Sequence, residues 1–565
     1  MVITSRNLVL VLFLGSLFFF VGLSEAQSQP KSQVERWGVE EVTLHSTRSY
    51  ANPVTDVKFS GRFTSPSGKV SEVKGFFDGD GIWLVRFMPE ETGSWTYSTI
   101  SNNPDLNGKS GAFTVVAPSG DKHGPVHVAK SYHFDYANGT PYFLLGTTTY
   151  GGLSAGPLER AKTMSKLAHS PFNKTRFFLL SRGSAGLPPF ELGEGGRMDF
   201  TRPNPAYFRE VEAGLRELSA MNVQADVILW NYSSQDAGPA NISDMTPEGE
   251  RVYLEYVVSR FAAFNNVWWT MSNEFDLFKR PKNWKALGEL VQRSDPYHHP
   301  ISIHQSALAY YDNYRQDWLS HIIIQDLTQL RLPSGPRNLG ALELDARKVG
   351  KPVVVDEYGY EGNNGTTYGS FSGADIVEMH WSFTMSGAYG SHGETYGGNS
   401  GWEFVGDAPA RLGFLKQIMT QAPFQEMEPA NDLVAYNGPL YAPTMLAKRG
   451  AYYLLHIPPL RHKPDWNPGA FGPGTPSNPL PLREPYGNLV LDPTAIEVDL
   501  APGIYKVELI DTWQMRVAPI GYVQGGKQTV LPRVAPGVVR FVAVPSAPEG
   551  VTVAREFSRL GPGRP

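Results

Sequence analysis

A chain of 565 residues corresponds to about three to four domains, and a composition 41% hydrophobic and 12% aromatic supplies several packed cores, which excludes disorder along its whole length. With 50 Lys and Arg against 55 Asp and Glu, a net charge of −5 and no basic blocks, a nucleic-acid partner held by phosphate neutralisation lacks its main electrostatic term. The absence of cysteine excludes disulfide staples, thiolate metal sites and a cysteine nucleophile, so any catalysis must use oxygen and nitrogen side chains.

Residues 1–26 read as a signal peptide. Arg6 supplies the positive n-region, Leu8 to Leu23 the apolar run, and Ser24-Glu25-Ala26 a small-x-small cleavage site before Gln27. The apolar run falls short of the ~20 residues that span hydrocarbon, which disfavours an uncleaved anchor. The expected product is secreted or periplasmic, with no stable membrane insertion after cleavage. Asn138, Asn173, Asn231, Asn241 and Asn364 open glycosylation sequons that matter only in a eukaryotic host.

Over residues 34–116 short aromatic and β-branched runs alternate with turn clusters, as in Val57-Lys-Phe-Ser-Gly-Arg-Phe and Ser94-Trp-Thr-Tyr-Ser-Thr-Ile. Period-2 stretches of this kind predict an N-terminal β-sandwich. Its Asp78-Gly-Asp80 turn suits a hairpin, with a calcium ion as the other use of such a turn. Ala117 to Val128, rich in Pro, Gly and Ser, reads as a linker.

Over residues 133–422 short apolar runs alternate with helical ones. Strands are expected at Tyr142–Thr147, Thr175–Leu180, Gln224–Leu229, Asn266–Met271, Pro300–His304, His321–Gln325, Pro352–Asp356 and Gly387–His392. Helices are clearest at Pro205–Met221, where Phe208, Val211, Leu215 and Leu218 recur at near-helical spacing, and at Asn283–Arg293. Eight strand–helix pairs in this span fit a (β/α)8 TIM barrel, which takes about 250 residues. An open doubly wound sheet is disfavoured because no Gly-x-Gly-x-x-Gly follows the first strand. Residues 427–544 return to β texture and read as a C-terminal β-sandwich, with Pro464 to Tyr486 a long loop and the tail after Ser546 frayed. The fold class is therefore α/β plus all-β, a TIM barrel flanked by N- and C-terminal β-sandwich domains.

Reacting groups of a parallel barrel gather at the carboxyl ends of its strands. Asn273 and Glu274 follow the fourth strand and Glu357 ends the seventh. Two carboxyls flanking one gap is the requirement of a retaining glycosidase, in which they stand about 5–5.5 Å apart, one attacking the anomeric carbon and one protonating the leaving oxygen. Their environments must differ, so that the acid keeps its proton while the nucleophile is ionised. Asp276, Asp356 and Glu361 are rival carboxylates. His298, His299 and His304 lack the helical spacing of a zinc motif, and Trp268 and Trp269 read as core packing.

The Asn273-Glu274 and Glu357 pair resembles the acid/base and nucleophile signatures of clan A (β/α)8 retaining glycoside hydrolases. Phe172-Asn-Lys-Thr-Arg176 resembles that clan's Gly-Phe-Asn-x-x-Arg, whose Arg lies beside the nucleophile. The order sandwich, barrel, sandwich and the Glu357-Tyr-Gly-Tyr-Glu361 ending of strand seven are similar to the apiosidase-like secreted glycosidases. The chain departs from that group in having Gly146-Thr-Thr-Thr-Tyr150 in place of Gly-Asp-Thr-Ala-Trp, and Glu274 in place of Asp.

The resemblance implies Glu274 as general acid/base, Glu357 as nucleophile, Asn273 as donor to the sugar 2-hydroxyl and Arg176 as the cation that keeps Glu357 ionised. An Arg within about 4–6 Å lowers a carboxylate pKa, and the alternative for Arg176 is a structural partner to a buried acid. His304 and Tyr150, ending strands five and one, are candidates to orient the acid and the nucleophile. Trp230, Trp402 and Tyr360 are candidate platforms for sugar rings. His392 and Glu394, following strand eight, are left between substrate contact and loop solvation. The expected activity is secreted retaining hydrolysis of a plant or microbial poly- or oligosaccharide, without metal or organic cofactor. The alternatives are an idle carbohydrate-binding or surface protein, or an inverting hydrolase or transglycosylase on the same barrel.

Overall fold

A computed structural model describes residues 32–120, 122–154, 156–180, 187–231, 242, 245–278, 282–306, 314–326, 340–362, 371–393, 406–437, 442–458, 495–530 and 537–557. The expected signal peptide, the loop 464–486, Trp402, Glu394, Asn241 and Asn364 lie outside these residues. Among the described residues no helix is long and apolar enough to cross a membrane.

The N-terminal region stacks two sheets. One runs in the order Ser32–Glu35, Ser110–Val116, Gly93–Ser101, Phe59–Thr64, Val70–Lys74, and the other Glu40–His45, Ile82–Phe87, Phe76–Phe77. Alternating residues fill the space between them: Phe63 from the first stacks on Phe87 from the second with centroids 4.3 Å apart, and Trp95 packs on Phe87 at 5.1 Å.

The central sheet has eight strands, all paired in parallel: Leu145–Thr148, Lys174–Phe178, Gln224–Ile228, Val267–Thr270, Ile301–Ser302, Ile322–Gln325, Val353–Glu357 and Tyr389–His392. Their spatial order is five, four, three, two, one, eight, seven, six. An isolated parallel bridge between His304 and Ile323, with the Ser302 hydroxyl donating to the His321 carbonyl at 2.7 Å, joins the ends and closes the cylinder. The strands are buried along their length, with only the terminal Phe178 and Glu357 half-buried, because helices cover the outside and side chains fill the inside. The helix Pro205–Ala220 begins where Asn204 accepts from the Ala206 N–H with Pro205 at the first turn, and it buries Phe208, Val211, Leu215 and Leu218. Asn283 caps the helix Trp284–Ser294 in the same way.

A short sheet of Val126–Ala129, His133–Tyr136 and Pro141–Tyr142 precedes the first barrel strand. Its Phe134 packs against Trp268, Tyr389 and His321 at the amino-terminal ends of the strands, so this sheet plugs the face opposite to the strand ends that carry the candidate site.

Arg86 fastens the N-terminal sandwich to the barrel, giving Glu212 two hydrogen bonds of 2.9 and 2.8 Å, while Arg260 bonds Glu212 at 2.9 Å and Asp78 at 2.6 Å. Asp78 also pairs with Arg209 at 3.1 Å. The Asp78-Gly-Asp80 turn is thus a hairpin whose acid is committed to domain docking, with Gly79 at φ +88° and Asp80 at φ +51°.

The C-terminal strands form one hydrogen-bonded sheet around the long hairpin Ile496–Asp511 and Arg516–Val530. A register shift between Leu500 and Ile504 divides the hairpin. The first strand's early half pairs with Val434–Ala435 and its late half with Gly537–Val544, so both halves feed one core that contains Ile496, Val498, Tyr505, Val507 and Phe541. This region rests on the helix Gly373–Met385, where His456 Nε2 lies 3.0 Å from Glu378.

Candidate active site

Strand four hands its chain to Asn273 and Glu274. The Asn273 N–H donates to the Trp230 carbonyl at 2.9 Å, which extends the strand-three contact one step beyond the regular ladder. Glu274 then adopts φ +45°, ψ 53°. A left-handed conformation costs a non-glycine residue about 1–2 kcal/mol, so it persists only where neighbours fix it. Here the Glu274 N–H donates to His304 Nδ1 at 3.3 Å and the Phe275 N–H donates to the His304 carbonyl at 3.0 Å. Strand five therefore holds the turn that directs Glu274.

Because His304 Nδ1 accepts that hydrogen bond, its proton sits on Nε2. Burial, with Arg176 adding to it, holds the ring well below the usual histidine range, so it is neutral. Nε2 lies 3.9 Å from Glu357 Oε2 and has no hydrogen-bond partner among the described residues.

Glu357 closes strand seven with its carboxyl mostly buried. The Tyr360 hydroxyl donates to Oε1 at 2.9 Å, and the Tyr150 hydroxyl lies 3.4 Å from Oε2 and 3.1 Å from the Tyr360 hydroxyl. Tyr150 is itself stacked on Phe178, with centroids 4.5 Å apart. The Asp326 N–H donates to the Glu357 carbonyl at 2.8 Å, which fixes strand seven against strand six.

Arg176, fully buried, reaches three of these elements. It donates to the Asp356 carbonyl and to Asn273 Oδ1, each at 3.2 Å, and its Nε lies 3.5 Å from Asp356 Oδ2. Since Arg176 claims the Asn273 oxygen, the Asn273 amide N–H groups are turned the other way, and Nδ2 donates to Glu274 Oε2 at 3.3 Å. The two alternatives for Arg176 coexist: its ion pair is with Asp356, and its field also acts on Glu357.

The carboxyls are electrostatically coupled. Burial chiefly, then the charge of Glu357 and that of Asp276, push Glu274 up to about 7, against opposing effects of Gln325 and Arg176. Glu357 also stands above the usual carboxylate value, because burial outweighs Arg176 and the Tyr360 and Tyr150 hydroxyls, which act in the opposite direction. The pair is asymmetric: Glu357 has a cation and two phenol donors to support its anion, whereas Glu274 faces two carboxylates.

The rival carboxylates are otherwise engaged. Asp276 accepts from the Ser306 N–H and hydroxyl at 2.8 and 2.7 Å. Asp356 is enclosed by Lys174, Arg176 and Ser391, which hold it at about 2 against its burial. Glu361 accepts from the Asp407 and Ala408 N–H groups at 2.6 and 3.1 Å, at the start of the helix Ala408–Gln421.

Three expected substrate contacts take other places. Trp230 has no exposed surface: it packs edge to face on Tyr253 and Trp284, so no ring face is open to a sugar. Tyr360 is buried and spends its hydroxyl on Glu357 instead of presenting its ring. His392 stacks on Phe172 at 5.3 Å with Nε2 3.6 Å from Glu361. Gln325 went unremarked in the sequence. It lies in register with Glu357 across strands six and seven, its amide acts on Glu274, and its Oε1 is buried without a partner among the described residues. Also missed were Lys174 and Asp226, inside the barrel below the pair. A lysine two residues before Arg176 on one strand must share its face, and that period was the available signal. Among the described residues no three His, Asp or Glu side chains converge as a metal-ligand set.

Comparison with known proteins adds the lineage. The family described as apiosidase-like, catalytic domain, matches residues 129–433, more than half of the chain, and a domain of unknown function, DUF5060, matches residues 33–102. A Bacteroides vulgatus ATCC 8482 protein described as a candidate glycoside hydrolase is similar in structure, with 27% identity and a TM-score of 0.73 over 91% of this chain and 100% of its own. A glycoside hydrolase family 5 protein of the same organism shares the fold at 14% identity, with a TM-score of 0.54 over 74% of this chain and 93% of its own. No curated protein matches the sequence.

Proposed function

The chain belongs to the apiosidase-like family of glycoside hydrolases, and from that premise we propose that it is a secreted enzyme that cleaves a plant or microbial poly- or oligosaccharide with retention of anomeric configuration. The observation that carries this reading is the asymmetry of Glu274 and Glu357, one pushed up to about 7 and the other supported by Arg176, Tyr360 and Tyr150.

In the first step a Glu357 oxygen attacks the anomeric carbon while Glu274 gives its proton to the departing glycosidic oxygen. The C–O bond to the leaving group breaks and a glycosyl ester forms on Glu357. Esterification removes the Glu357 charge, which is the second-largest influence raising Glu274, so Glu274 becomes a weaker acid-holder and is left ionised. It then takes a proton from water as that water attacks the anomeric carbon and expels the Glu357 carboxylate. The Asn273 amide, fixed by Arg176, presents N–H donors suited to the 2-hydroxyl, where a hydrogen bond strengthens as oxocarbenium character develops.

An array of aryl glycosides that includes β-D-pyranosides and α-L- and D-pentofuranosides tests the reading, with NMR of the first-formed anomer. Turnover with retention, abolished in a folded Glu357→Ala variant, supports it. Inverted product assigns the barrel to single displacement, and undiminished turnover in Glu357→Ala removes Glu357 from the mechanism.

A further inference from the structure

Below the carboxyl pair lie four charges sealed inside the barrel. Strand two turns Lys174 and Arg176 inward, strand three Asp226 and strand seven Asp356. Lys174 Nζ lies 2.6 Å from Asp226 Oδ2 and 3.1 Å from Asp356 Oδ1. Arg176 Nε lies 3.5 Å from Asp356 Oδ2 and 3.9 Å from Asp226 Oδ2. Thr270 donates to Asp226 at 2.6 Å and Ser391 donates to Asp356. None of the four side chains is more than 1% exposed, so solvent screens them little.

Two cations balance two anions, and the balance matters above them. Arg176 is the cation that favours the Glu357 anion, and Asp356 is a neighbour that disfavours it. How much of the Arg176 charge reaches Glu357 depends on how far Lys174 has already neutralised Asp226 and Asp356. The other titratable groups facing this cluster and Glu357 are Tyr150 on strand one, Glu274 and Asp276 after strand four, His304 beyond strand five, Tyr360 and Glu361 beyond strand seven, His392 on strand eight, and His321 on the floor side of the cluster, before strand six. His304 and His321 are held neutral by burial.

We propose that Lys174 and Asp226 are opposed positioning residues, acting through Arg176 and Asp356 to set the charge that Glu357 experiences. The inference rests on reading Glu357 as the nucleophile. Lys174→Met leaves the cluster one unit negative and favours protonated Glu357. Asp226→Asn leaves it one unit positive and favours the carboxylate. The double variant restores neutrality.

The test is a 13C NMR titration of the full chain labelled at glutamate carboxyls, with the Glu357 signal assigned by its loss in Glu357→Gln. The expected midpoint moves up by about one pH unit in Lys174→Met, down by a similar amount in Asp226→Asn, and returns to the wild-type value in the double variant. A purely structural role weakens stability in both single variants and leaves the midpoint in place, and that result overturns the proposal, as does movement of both in one direction. Should Lys174→Met fail to fold, Asp226→Asn and the charge-balanced double variant decide: a downward shift in the first and the wild-type midpoint in the second support it, and equal midpoints overturn it. Aryl-glycoside turnover measured on the same samples separates the two claims. Turnover with unmoved midpoints sinks this inference alone, whereas opposed shifts in a protein without turnover sink the nucleophile reading and leave the electrostatic relation standing.

Discussion

Tyr360 donates its phenol hydrogen to Glu357 Oε1 across 2.9 Å, from only three residues further along the chain. Its ring is buried, so the hydroxyl is held without solvent competition and serves the carboxylate, not a sugar face.

Tyr360→Phe keeps the ring and removes that donor. A hydrogen bond to a charged group contributes about 1.5–3 kcal/mol, so the variant should lose roughly tenfold or more in kcat/KM. Since the donor favours ionised Glu357, its loss raises the Glu357 pKa, and the acid limb of the pH–rate profile moves to higher pH. A profile with an unchanged acid limb means that Tyr360 does not support the anion during turnover.

Glu274→Ala isolates the acid. Aryl glycosides with poor leaving groups, which need protonation, should slow by about 10²–10⁴-fold, and those with strongly acidic phenols much less in the glycosylation step. Azide, which attacks without a general base, should rescue the second step and yield a glycosyl azide of retained configuration. The descent of wild-type activity above about pH 7 should vanish in the variant, because that descent is the deprotonation of Glu274. Equal losses for good and poor leaving groups would assign the proton to another residue.

Much of this arrangement was legible in the chain before folding. Strands buried on both faces must be short apolar runs, and all eight stood out for that reason, as did the polar residues that end them. The helices Pro205–Ala220 and Trp284–Ser294 were legible because their apolar residues recur at helical spacing, a pattern local to each segment. What distinguishes Glu361 from Glu357 is not local. Glu361 is committed to N–H groups of residues 407 and 408, more than forty positions away. Trp230 likewise carries no mark that it will be walled in by Tyr253 and Trp284 instead of facing a sugar. The plug at His133–Tyr136 had ordinary β texture, and only its contact with Trp268 and Tyr389 reveals that it closes the barrel floor.

The joint between sandwich and barrel makes a stability prediction. Glu212 neutralises Arg86 and Arg260, both with almost no exposed surface, and removing one partner of a buried pair typically costs about 3–5 kcal/mol. Glu212→Gln should lower the denaturation midpoint of the chain with the carboxyl pair untouched. The pH dependence has a definite sign. Although burial acts the other way, the surrounding arginines hold Glu212 below its ordinary pKa. Its contribution is therefore complete above the unfolded carboxylate pKa, about 4.3, and is lost as pH falls through the lower folded value. Wild type and Glu212→Gln should converge in stability in acid, and denaturation followed from pH 7 downward measures it. Parallel curves would show that the acid acts by shape and not by charge.

Gln325 supplies a shift on the other side of the profile. Its amide opposes the burial and the Glu357 charge that push Glu274 up, so it favours the Glu274 anion. Gln325→Leu preserves volume and removes the amide, and the Glu274 pKa should rise above about 7. Because deprotonation of Glu274 ends activity in alkali, the basic limb of kcat/KM against pH moves upward, while the acid limb, governed by Glu357, stays near its wild-type position. Tyr360→Phe makes the contrary change, moving the acid limb and sparing the basic one. Two substitutions on either side of the carboxyl pair thus displace different limbs, and a common loss of amplitude in unshifted profiles would mean that neither residue tunes its carboxyl. The buried Gln325 Oε1, which has no hydrogen-bond partner among the described residues, adds a second signature. A sugar hydroxyl that reaches this oxygen would donate to it, so Gln325→Leu should also raise KM for an oligosaccharide more than for an aryl monosaccharide that leaves the position empty.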